Sequence, residues 1–441
     1  MAAAAIALPA LVPARVLSAP GRPGANERVH LGVIGTGIRG RYLIGDLPAD
    51  GRVVAICDCY RPRMVQTLKR VPSVPEARLR QSVPASDAGS WAMFQDYRRM
   101  IDEAKLDAVI IATPDHHHVL AAMRACQAGL DVYVEKPLSL TIAEGRRLVQ
   151  MVRRYGRVCQ VGSQQRSMEL NRFACQFVRD GGLGKVTHVQ VGNFTGPMRY
   201  AGLGEEPIPD GLDWDLFSGP APLRPHNWRL WIKDERQVDG QNWRGWDVWR
   251  DYSGHLMTNW GGHSVDQVQW ALGMDNSGPV EVWPLTGGHR GDIRACPIVA
   301  RYANGVELRF ELTYLRGGGC IVHGERGQMI ISRNHFSTVP PDLVKNPPAA
   351  EAAKIWQGVS VVAKPHLQDW LDCIKTRGTP HAPVEIAHRS VTVCHLAGIA
   401  RELRRKIRWD PQQESFLTGD DEARALLDRP RRQGFALPTL S

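Results

Sequence analysis

Residues Val29–Gly40 read VHLGVIGTGIRG and join a run of aliphatic residues to a glycine-rich turn. The run Val29–Ile34 has the near-continuous apolar character of a strand that is buried on both faces. In the GxGxxG turn that follows, Gly35 permits a tight turn, Gly37 lets the backbone approach a pyrophosphate, and Gly40 allows close helix packing. The phosphates would lie at the N-terminus of the next helix, where free N–H groups favour an anion. The predicted cofactor-binding residues of this turn are Gly35, Thr36, Gly37, Ile38, Arg39 and Gly40.

The strand-and-helix pattern of this first unit repeats as far as Val161. Amphipathic stretches separate the later apolar runs; one of them, Val119–Ala128, ends at Gly129 as a helix does. Repeated strand–helix units predict an α/β fold with a parallel, doubly wound sheet. The further predicted strands are Val53–Cys57, Ala108–Ala112, Val132–Val134 and Val158–Val161.

Asp58 follows the second predicted strand, 18 positions after Gly40 (58 minus 40). A carboxylate at this place accepts hydrogen bonds from the hydroxyls of the adenosine ribose and repels a 2′-phosphate. NAD is therefore favoured over NADP, although Arg61 and Arg63 nearby leave NADP open.

The pattern changes after about Gly162. Asn304-Gly305 separates two apolar runs, at residues 298–302 and 306–314, and is a strong signal for a hairpin. A further strand is predicted at residues 328–332, and helices are predicted at 263–272 and 366–376. This pattern indicates an antiparallel or mixed sheet with helices, and we predict for this half an α+β domain with a large, open, mainly antiparallel sheet.

Two groups of residues are candidates for catalysis. Glu135-Lys136-Pro137 follows a predicted strand, at the edge of the sheet where ligands bind. A lysine there can hydrogen-bond a substrate hydroxyl and stabilise a developing alkoxide, and the alternative is a lysine on a solvated loop.

His263 is the second candidate. It is predicted to begin a helix, with Asp266 one turn later on the same face. Imidazole suits proton transfer near neutrality, and a structural histidine is the alternative.

In their order along the chain, these motifs resemble the Gfo/Idh/MocA family of oxidoreductases. The resemblance runs from about Val29 to about Lys406, and it includes the Gly324–Gly327 turn. The motifs that carry it are the glycine turn, Asp58, Thr113-Pro114, Glu135-Lys136-Pro137 and Asn259–Asp266, with Trp214–Pro222 and Trp270–Gly273 in addition.

The resemblance implies a Rossmann domain followed by an α/β domain whose open sheet forms oligomer contacts, in a homodimer or homotetramer. It implies NAD(P) as the hydride carrier and a small-molecule sugar or cyclitol as the substrate. We therefore predict a leader at residues 1–28, a NAD-binding domain at 29–162, and a substrate-binding and oligomerisation domain at 163–441 with a tail from about 407.

The resemblance also assigns roles to individual residues. The family's Glu-Lys-Pro lysine falls on Lys136, and its Asp-x-x-x-His pair falls on Asn259 and His263. Asparagine can hold a hydroxyl but cannot take its proton, so proton transfer rests on Lys136 and His263, with Asp266 as the candidate partner of the histidine. The predicted catalytic residues are Lys136, His263, Asn259 and Asp266. The predicted cofactor-binding residues beyond the glycine turn are Asp58, Thr113, Pro114, His118, Glu135, Lys136 and Gln165.

Nine of the 13 tryptophans lie between Trp214 and Trp283. Aromatic faces stack against the apolar faces of sugar rings, so this region suits a saccharide, and simple packing of the loops is the alternative. For Arg166, which follows the last predicted strand of the first sheet, a surface position is the alternative to substrate binding. The predicted substrate-binding residues are Lys136, Arg166, Trp228, Asn259 and His263.

Composition argues against several other partners. The formal net charge is +10, but the basic residues are spread along the chain without a nucleic-acid-binding motif. The three histidines His116–His118 are consecutive and cannot all face one ion, so no metal is predicted.

The apolar N-terminal stretch is too short and interrupted for a membrane span and resembles part of a secretory signal. The protein is expected in the periplasm if this stretch is a truncated twin-arginine-type signal, and otherwise in the cytoplasm.

Three functions follow from these residues. The first is a NAD-dependent oxidoreductase that transfers a hydride between nicotinamide and a secondary hydroxyl or ketone of a sugar, glycoside or cyclitol. The second is a NAD-using glycoside hydrolase or lyase, in which transient ring oxidation acidifies a neighbouring C–H and allows elimination. The third is a non-catalytic sugar- or NAD-binding sensor, for which only Asn259 argues.

Overall fold

The structure, a computed structural model, describes residue 24 and residues 27–69, 90–231, 236–238, 241–243, 245–286, 291–313, 315, 317–349, 363–417 and 419–440. The predicted leader, residues 1–28, therefore lies almost wholly outside the described residues. The described chain forms two large sheets and one small one, with helices around them.

Six parallel strands form the first sheet. They are β1 (Val29–Ile34), β2 (Gly51–Cys57), β3 (Ala92–Phe94), β4 (Ala108–Ile111), β5 (Asp131–Val134) and β6 (Cys159–Val161). Their order across the sheet is β3-β2-β1-β4-β5-β6, and every pair is parallel. This is the order of the doubly wound dinucleotide-binding fold, which confirms the predicted fold class. Only β3 escapes prediction from sequence, because it is three residues long and partly exposed.

Helices pack on both faces of this sheet. They are α1 (Ile38–Gly45), α2 (Arg61–Lys69), α3 (Tyr97–Glu103), α4 (Asp115–Gln127) and α5 (Ile142–Arg154). α5 shows why such segments are helical. The Thr141 hydroxyl caps it by accepting a hydrogen bond from the N–H of Glu144 (3.3 Å), and Leu148 and Val152 lie one turn apart on its buried face.

The second sheet is built mainly from the C-terminal half of the chain. Its strands are β7 (Val186–Gly192), β10 (Glu281–Pro284), β11 (Ile298–Arg301), β12 (Glu307–Leu312), β13 (Cys320–Gly324), β14 (Gly327–Ser332), β15 (His335–Val339), β16 (Ile407–Asp410) and β17 (Ser415–Phe416). A separate small sheet pairs β8 (Arg236–Val238) with β9 (Gln241–Trp243). The nine strands follow the order β15-β14-β13-β7-β12-β11-β10-β16-β17, and only β7 and β12 are parallel. The predicted hairpin is confirmed, because β11 and β12 are antiparallel around Gly305, which has a φ of +86°.

Helices cover one face of the nine-stranded sheet. The helices of this half are α6 (Glu169–Arg179), α7 (Trp214–Ser218), α8 (His255–Ala271), α9 (Lys364–Thr376), α10 (Val384–Leu403) and α11 (Asp421–Arg424). Val265 and Val268 of α8 share one buried apolar cluster with Val189, Val191 and Phe310 of the sheet. Side chains that point away from these helices, such as those of His188, Gln190 and Arg309, are partly exposed. Of the described helices, none has both the length and the apolar character needed to cross a bilayer.

The C-terminal part of the chain returns to the first sheet. In α9, Trp370 packs against Tyr133 of β5 with ring centroids 5.6 Å apart. Val391 of α10 and, much later, Phe435 lie in an apolar cluster with residues of the first sheet and its helices. Residues 163–441 are therefore not confined to the second sheet, and the predicted tail from 407 contributes the strands β16 and β17.

Candidate active site

The glycine turn between β1 and α1 has the shape that a dinucleotide requires. Gly35 has a φ of +91°, and a Cβ there would lie 2.6 Å from the carbonyl oxygen of Ala112. A Cβ at Gly40 would overlap the carbonyl oxygen of Gly35, so α1 can pack closely only because Gly40 has none. Beside Gly37, in contrast, no described atom lies within 4 Å of the Cβ position. The backbone at Gly37 is therefore open to an approaching pyrophosphate.

Two further features of the described residues fit NAD. The helix α1 begins directly after Gly37, so its free N–H groups lie next to this open space. The Oγ1 atom of Thr113 is buried, and no residue in the described part of the chain offers it a hydrogen bond. Such an atom is typical of a site where a ligand supplies the partner. Pro114, the next residue, caps α4.

Asp58 joins the glycine turn to the end of β2. Its Oδ2 atom accepts hydrogen bonds from the N–H (2.9 Å) and the hydroxyl (3.0 Å) of Thr36. Its Oδ1 atom lies 3.2 Å from Nη1 of Arg63 in an ion pair. The carboxylate thus fixes the cofactor turn and holds Arg63 beside it, and its recognition of the ribose stays a prediction.

The loop that carries Lys136 is attached to the cofactor side by two neighbours. Glu135 forms an ion pair of 2.6 Å with Arg39 of the glycine turn. The imidazole of His118 lies between the carbonyl oxygens of Pro137 (2.7 Å) and Thr113 (2.9 Å). These contacts connect the ends of β4 and β5, while direct contacts of Glu135 and His118 with the cofactor stay predictions.

Lys136 reaches across to the second half of the chain. Its Nζ atom donates a hydrogen bond of 2.9 Å to Oδ1 of Asn259, on α8. Burial lowers the pKa of Lys136, and the carboxylates of Glu135 and Asp115 oppose this effect. The structure therefore brings together the lysine and the asparagine that the family resemblance pairs.

His263 lies one turn after Asn259 on α8 and is buried. The prediction that it begins a helix is wrong, because α8 begins eight residues earlier, at His255. Nη2 of Arg333 lies 3.3 Å from Nε2 of His263. Burial holds the pKa of His263 well below its usual range, and the charges of Lys136, Arg333 and Arg39 add to the shift. The imidazole is therefore neutral near pH 7 and can accept a proton.

Asp266 and Arg166 have other partners than the predicted ones. Both oxygens of the Asp266 carboxylate accept hydrogen bonds from Nε of Arg166 (3.0 and 2.8 Å), and one also accepts from Ser390 (2.8 Å). Arg166 also pairs with Asp275 at 2.7 Å. Arg166 and Asp266 are both buried, and turning Asp266 toward His263 would remove one of the two carboxylates that pair with the guanidinium. The structure pairs these two residues with each other, in place of the predicted pairing of Asp266 with His263, and the predicted substrate contact of Arg166 stays a prediction.

Other candidates fall outside this centre. The Nε2 atoms of His116 and His117 both lie 2.9 Å from the carbonyl oxygen of Phe217. The described residues hold no cluster of three or more His, Cys, Asp or Glu side chains that could bind a metal. Trp214, Trp231 and Trp249 are buried in one apolar cluster with Tyr60 and Tyr252, so they pack the loops. Trp228 is partly buried beneath the guanidinium of Arg229, and its contact with a substrate stays a prediction.

Two features of the site have no signal in the sequence. Arg333 lies in the turn between β14 and β15, 70 residues from His263, and no motif marks it. Near Lys136, the Ser253 hydroxyl lies 2.9 Å from Asp115 and 3.2 Å from Asp247. Burial and the charge of Asp247 raise the pKa of Asp115 to about 8, which favours the protonated form of Asp115 near neutrality.

Fold and site together define the class of NAD-binding oxidoreductases with a Rossmann domain and a second, sheet-based domain. Two family models match the chain: "Oxidoreductase family, NAD-binding Rossmann fold" over residues 29–163, and "Oxidoreductase family, C-terminal alpha/beta domain" over residues 174–437. The chain therefore belongs to the Gfo/Idh/MocA oxidoreductase family. The predicted family and its NAD-binding domain are confirmed.

Individual relatives are more distant. A glycosyl hydrolase family 109 protein of Stenotrophomonas maltophilia is 27% identical over 240 residues, which are 53% of this chain and 50% of that protein. Inositol 2-dehydrogenase 1 of Saccharopolyspora erythraea is 35% identical over 138 residues, 28% of this chain and 36% of that protein. The chain thus spans half or less of these relatives. The crystal structure of the WlbA dehydrogenase from Bordetella pertussis with NADH and UDP-GlcNAcA shares the fold, with a TM-score of 0.61 and 17% identity over 88% of this chain and 99% of that one.

Proposed function

We propose that the protein is a NAD-dependent oxidoreductase that interconverts a secondary hydroxyl and a ketone on a sugar, glycoside or cyclitol. The observation that carries the proposal is the meeting of Lys136 with Asn259 and His263 at the carboxyl edge of the parallel sheet. This edge also holds the glycine turn, whose open backbone fits the cofactor. The inositol dehydrogenase among the relatives supports a polyhydroxylated substrate.

In the proposed reaction, the cofactor takes the hydride and the chain's own residues handle the hydroxyl and its proton. When bound, NAD supplies the acceptor for the two electrons and the hydrogen that leave the carbinol carbon. The amide of Asn259 orients Lys136 and can hold a neighbouring hydroxyl, but it cannot take a proton. The hydroxyl proton passes to Nζ of Lys136 or Nε2 of His263, both of which have a lowered pKa that favours the neutral, proton-accepting form.

A second function uses the same residues. In a NAD-using glycoside hydrolase or lyase, oxidation at a ring carbon would acidify the neighbouring C–H, elimination would release the leaving group, and the cofactor would be regenerated. The similarity to a glycosyl hydrolase family 109 protein over 53% of this chain favours this alternative.

One incubation separates the two functions. The purified protein is mixed with NAD and a panel of free sugars, cyclitols and glycosides, while NADH absorbance and sugar products are followed together. Net NADH with a ketone product supports the oxidoreductase. Cleavage of a glycoside without net NADH would replace it with the hydrolase, and NAD binding without turnover of any compound would leave a sensor.

We also propose that two or four chains associate through the face of the nine-stranded sheet that points away from its helices. This face is polar and partly exposed, with the rings of His188 and His323 stacked at 4.1 Å and with Gln190 and Arg309 beside them. Light scattering on the eluting protein should give the mass of a dimer or tetramer, and a monomer at micromolar concentration would contradict the proposal.

A further inference from the structure

Arg333 lies directly over the proposed catalytic centre, although no motif marks it. Its Nη2 atom is 3.3 Å from Nε2 of His263, and its Nη1 atom is 3.5 Å from Oε1 of Gln164. The arginine comes from the β14–β15 turn, whereas His263 comes from α8 and Gln164 follows β6. Arg333 thus reaches the site from the second sheet, whereas Lys136 and the glycine turn belong to the first sheet.

Three buried amide side chains hold the loops around Arg333 in place. Asn171 donates to the carbonyl of Ser332 (2.9 Å) and accepts from the N–H of Asn334 (2.7 Å), on either side of the arginine. Gln165 and Gln267 donate to the carbonyl oxygens of Gly317 (2.8 Å) and Gly318 (2.6 Å), in the adjacent loop. Because these amides are buried and bonded, the guanidinium is carried on a fixed framework rather than on a loose turn.

The charges around His263 are mainly positive among the described residues. Lys136, Arg333 and Arg39 all act on the imidazole. Burial and the charge of Arg39 lower the pKa of Arg333 to about 10, with Glu135 opposing them. Glu135 is itself paired with Arg39 at 2.6 Å. A negative group beside His263 would relieve the repulsion among these cations.

From this geometry we infer that Arg333 binds a carboxylate on the substrate, so that the preferred substrates are sugar or cyclitol acids. The inference rests on the proposed oxidoreductase function and specifies its substrate class. A guanidinium presents a planar pair of donors that matches the two oxygens of a carboxylate. Lys136 and His263 remain the groups that act at the hydroxyl.

The contact with His263 gives Arg333 a second effect. Because Arg333 donates to Nε2, this nitrogen is the acceptor of the neutral ring and Nδ1 carries the proton. A carboxylate that takes the donors of Arg333 leaves the Nε2 lone pair free to receive the hydroxyl proton. A substrate acid would thereby complete the site, whereas a neutral sugar would leave Arg333 on the imidazole.

The test compares matched compounds with NAD: glucuronate with glucose, galacturonate with galactose, gluconate with glucitol, and glucose 6-phosphate as a different anion. We expect kcat/KM for the best acid to exceed that of its neutral partner by about 100-fold, the worth of a charge-assisted pair. The variant R333Q should lose this preference, so that the acid and its neutral partner have similar kcat/KM values, and R333K should retain part of it. The exposed Arg99 provides the control variant R99Q, which should behave as wild type.

Several results would overturn the inference while the oxidoreductase function stands. They are equal or better turnover of the neutral sugars, a preference for the phosphate, or an equal loss for acid and neutral sugar in R333Q. If no compound at all is oxidised, the proposed function itself fails, and binding decides the role of Arg333. With NAD present, a rise in Tm caused by a sugar acid in wild type and R333K but not in R333Q supports it, and the absence of any rise in wild type overturns it.

Discussion

Single residues decide the protonation of the site before any substrate arrives. His263 is buried and faces three cations, while Lys136 is partly buried beside Asn259 and Glu135. Burial disfavours an added positive charge at both positions, and the carboxylate of Glu135 opposes this effect at Lys136. Desolvation is therefore the main cause of the lowered pKa at both proposed proton acceptors, and Asn259 stands where the family resemblance expects an aspartate.

The neutral state of His263 leads to a prediction about how kcat/KM depends on pH. A base is active above its own pKa, and the pKa of His263 lies well below the ordinary value of about 6.5. We expect kcat/KM to persist below pH 6.5 in wild type. In R333Q the loss of a cation raises the pKa of His263, so the acid limb of the profile moves to higher pH.

The variant R333K keeps the charge and serves as the matched control, with an acid limb close to that of wild type. A profile that is the same in R333Q and wild type would show that His263 is not the base that limits the reaction at low pH.

The contact between Asn259 and Lys136 leads to a prediction about the pKa of Lys136. In N259D a carboxylate would replace the amide oxygen that now lies 2.9 Å from Nζ, and it would stabilise the ammonium form. The pKa of Lys136 should rise by at least about one unit, or about 1.4 kcal/mol. The pH dependence of acylation of Lys136, followed by mass spectrometry, measures this without any substrate.

The neutral variant N259S is the control and should not raise the midpoint. An equal midpoint in N259D and wild type would mean that residue 259 does not face the ammonium group in solution.

At the scale of elements, the sequence predicts the parallel sheet because buried strands and the glycine turn are local signals. β1 has the predicted bounds, and the β11–β12 hairpin forms around Gly305 as its turn chemistry requires. The start of α8 could not be predicted, because Gly261 and Gly262 are poor helix formers. The structure places Gly261 where a Cβ would lie 3.3 Å from the ring of Phe194, so a tight tertiary contact favours a small residue inside the helix.

Asp58, directly after β2, is the residue that tests the predicted preference for NAD over NADP. In D58A the two bonds to Thr36 are lost, together with the charge that would repel a 2′-phosphate. Titration calorimetry should show NADH binding weakened by about tenfold, with the ratio of NADPH to NADH affinity raised.

The control is E103A, which removes a partly exposed carboxylate from α3 and should leave both affinities unchanged. An unchanged NADPH to NADH ratio in D58A would contradict the role of Asp58 at the ribose.

At the scale of the whole molecule, the C-terminal segment ties the two halves together. Arg429 and Arg431 both pair with Glu144 of α5, at 2.8 and 2.9 Å. Phe435 is buried in the apolar cluster of the first domain, between the guanidinium groups of Arg98 and Arg432. Such long-range contacts leave no periodic signal in the sequence. The sequence alone therefore predicts only a tail, whereas in the structure residues 429–435 pack against the first domain and form what we call the C-terminal strap. For the same reason Arg333, and the partners of Asp266, come only from the folded chain.

The strap makes a prediction about stability. Replacing Phe435 by alanine empties a buried site, so F435A should lower the free energy of unfolding by about 3 kcal/mol, measured by urea denaturation. Leu440 lies five residues further and is 43% exposed, so L440A should change stability by less than about 0.5 kcal/mol. Equal effects of the two variants would show that the strap does not pack on the first domain.

In the proposed function, Lys136 and the glycine turn serve the transfer of hydrogen between a carbinol carbon and NAD. Its most direct test uses carbon-deuterated sugars, sugar acids and cyclitols with NAD, and analyses the nicotinamide by mass spectrometry after rapid quenching. We expect deuterium on the nicotinamide ring with wild type and with the exposed-lysine control K185A, whether or not net NADH accumulates. In K136A the transfer should fall by about 100-fold or more while NADH still binds. Turnover of any of these compounds without deuterium on the nicotinamide, or undiminished transfer in K136A, would overturn the proposed function.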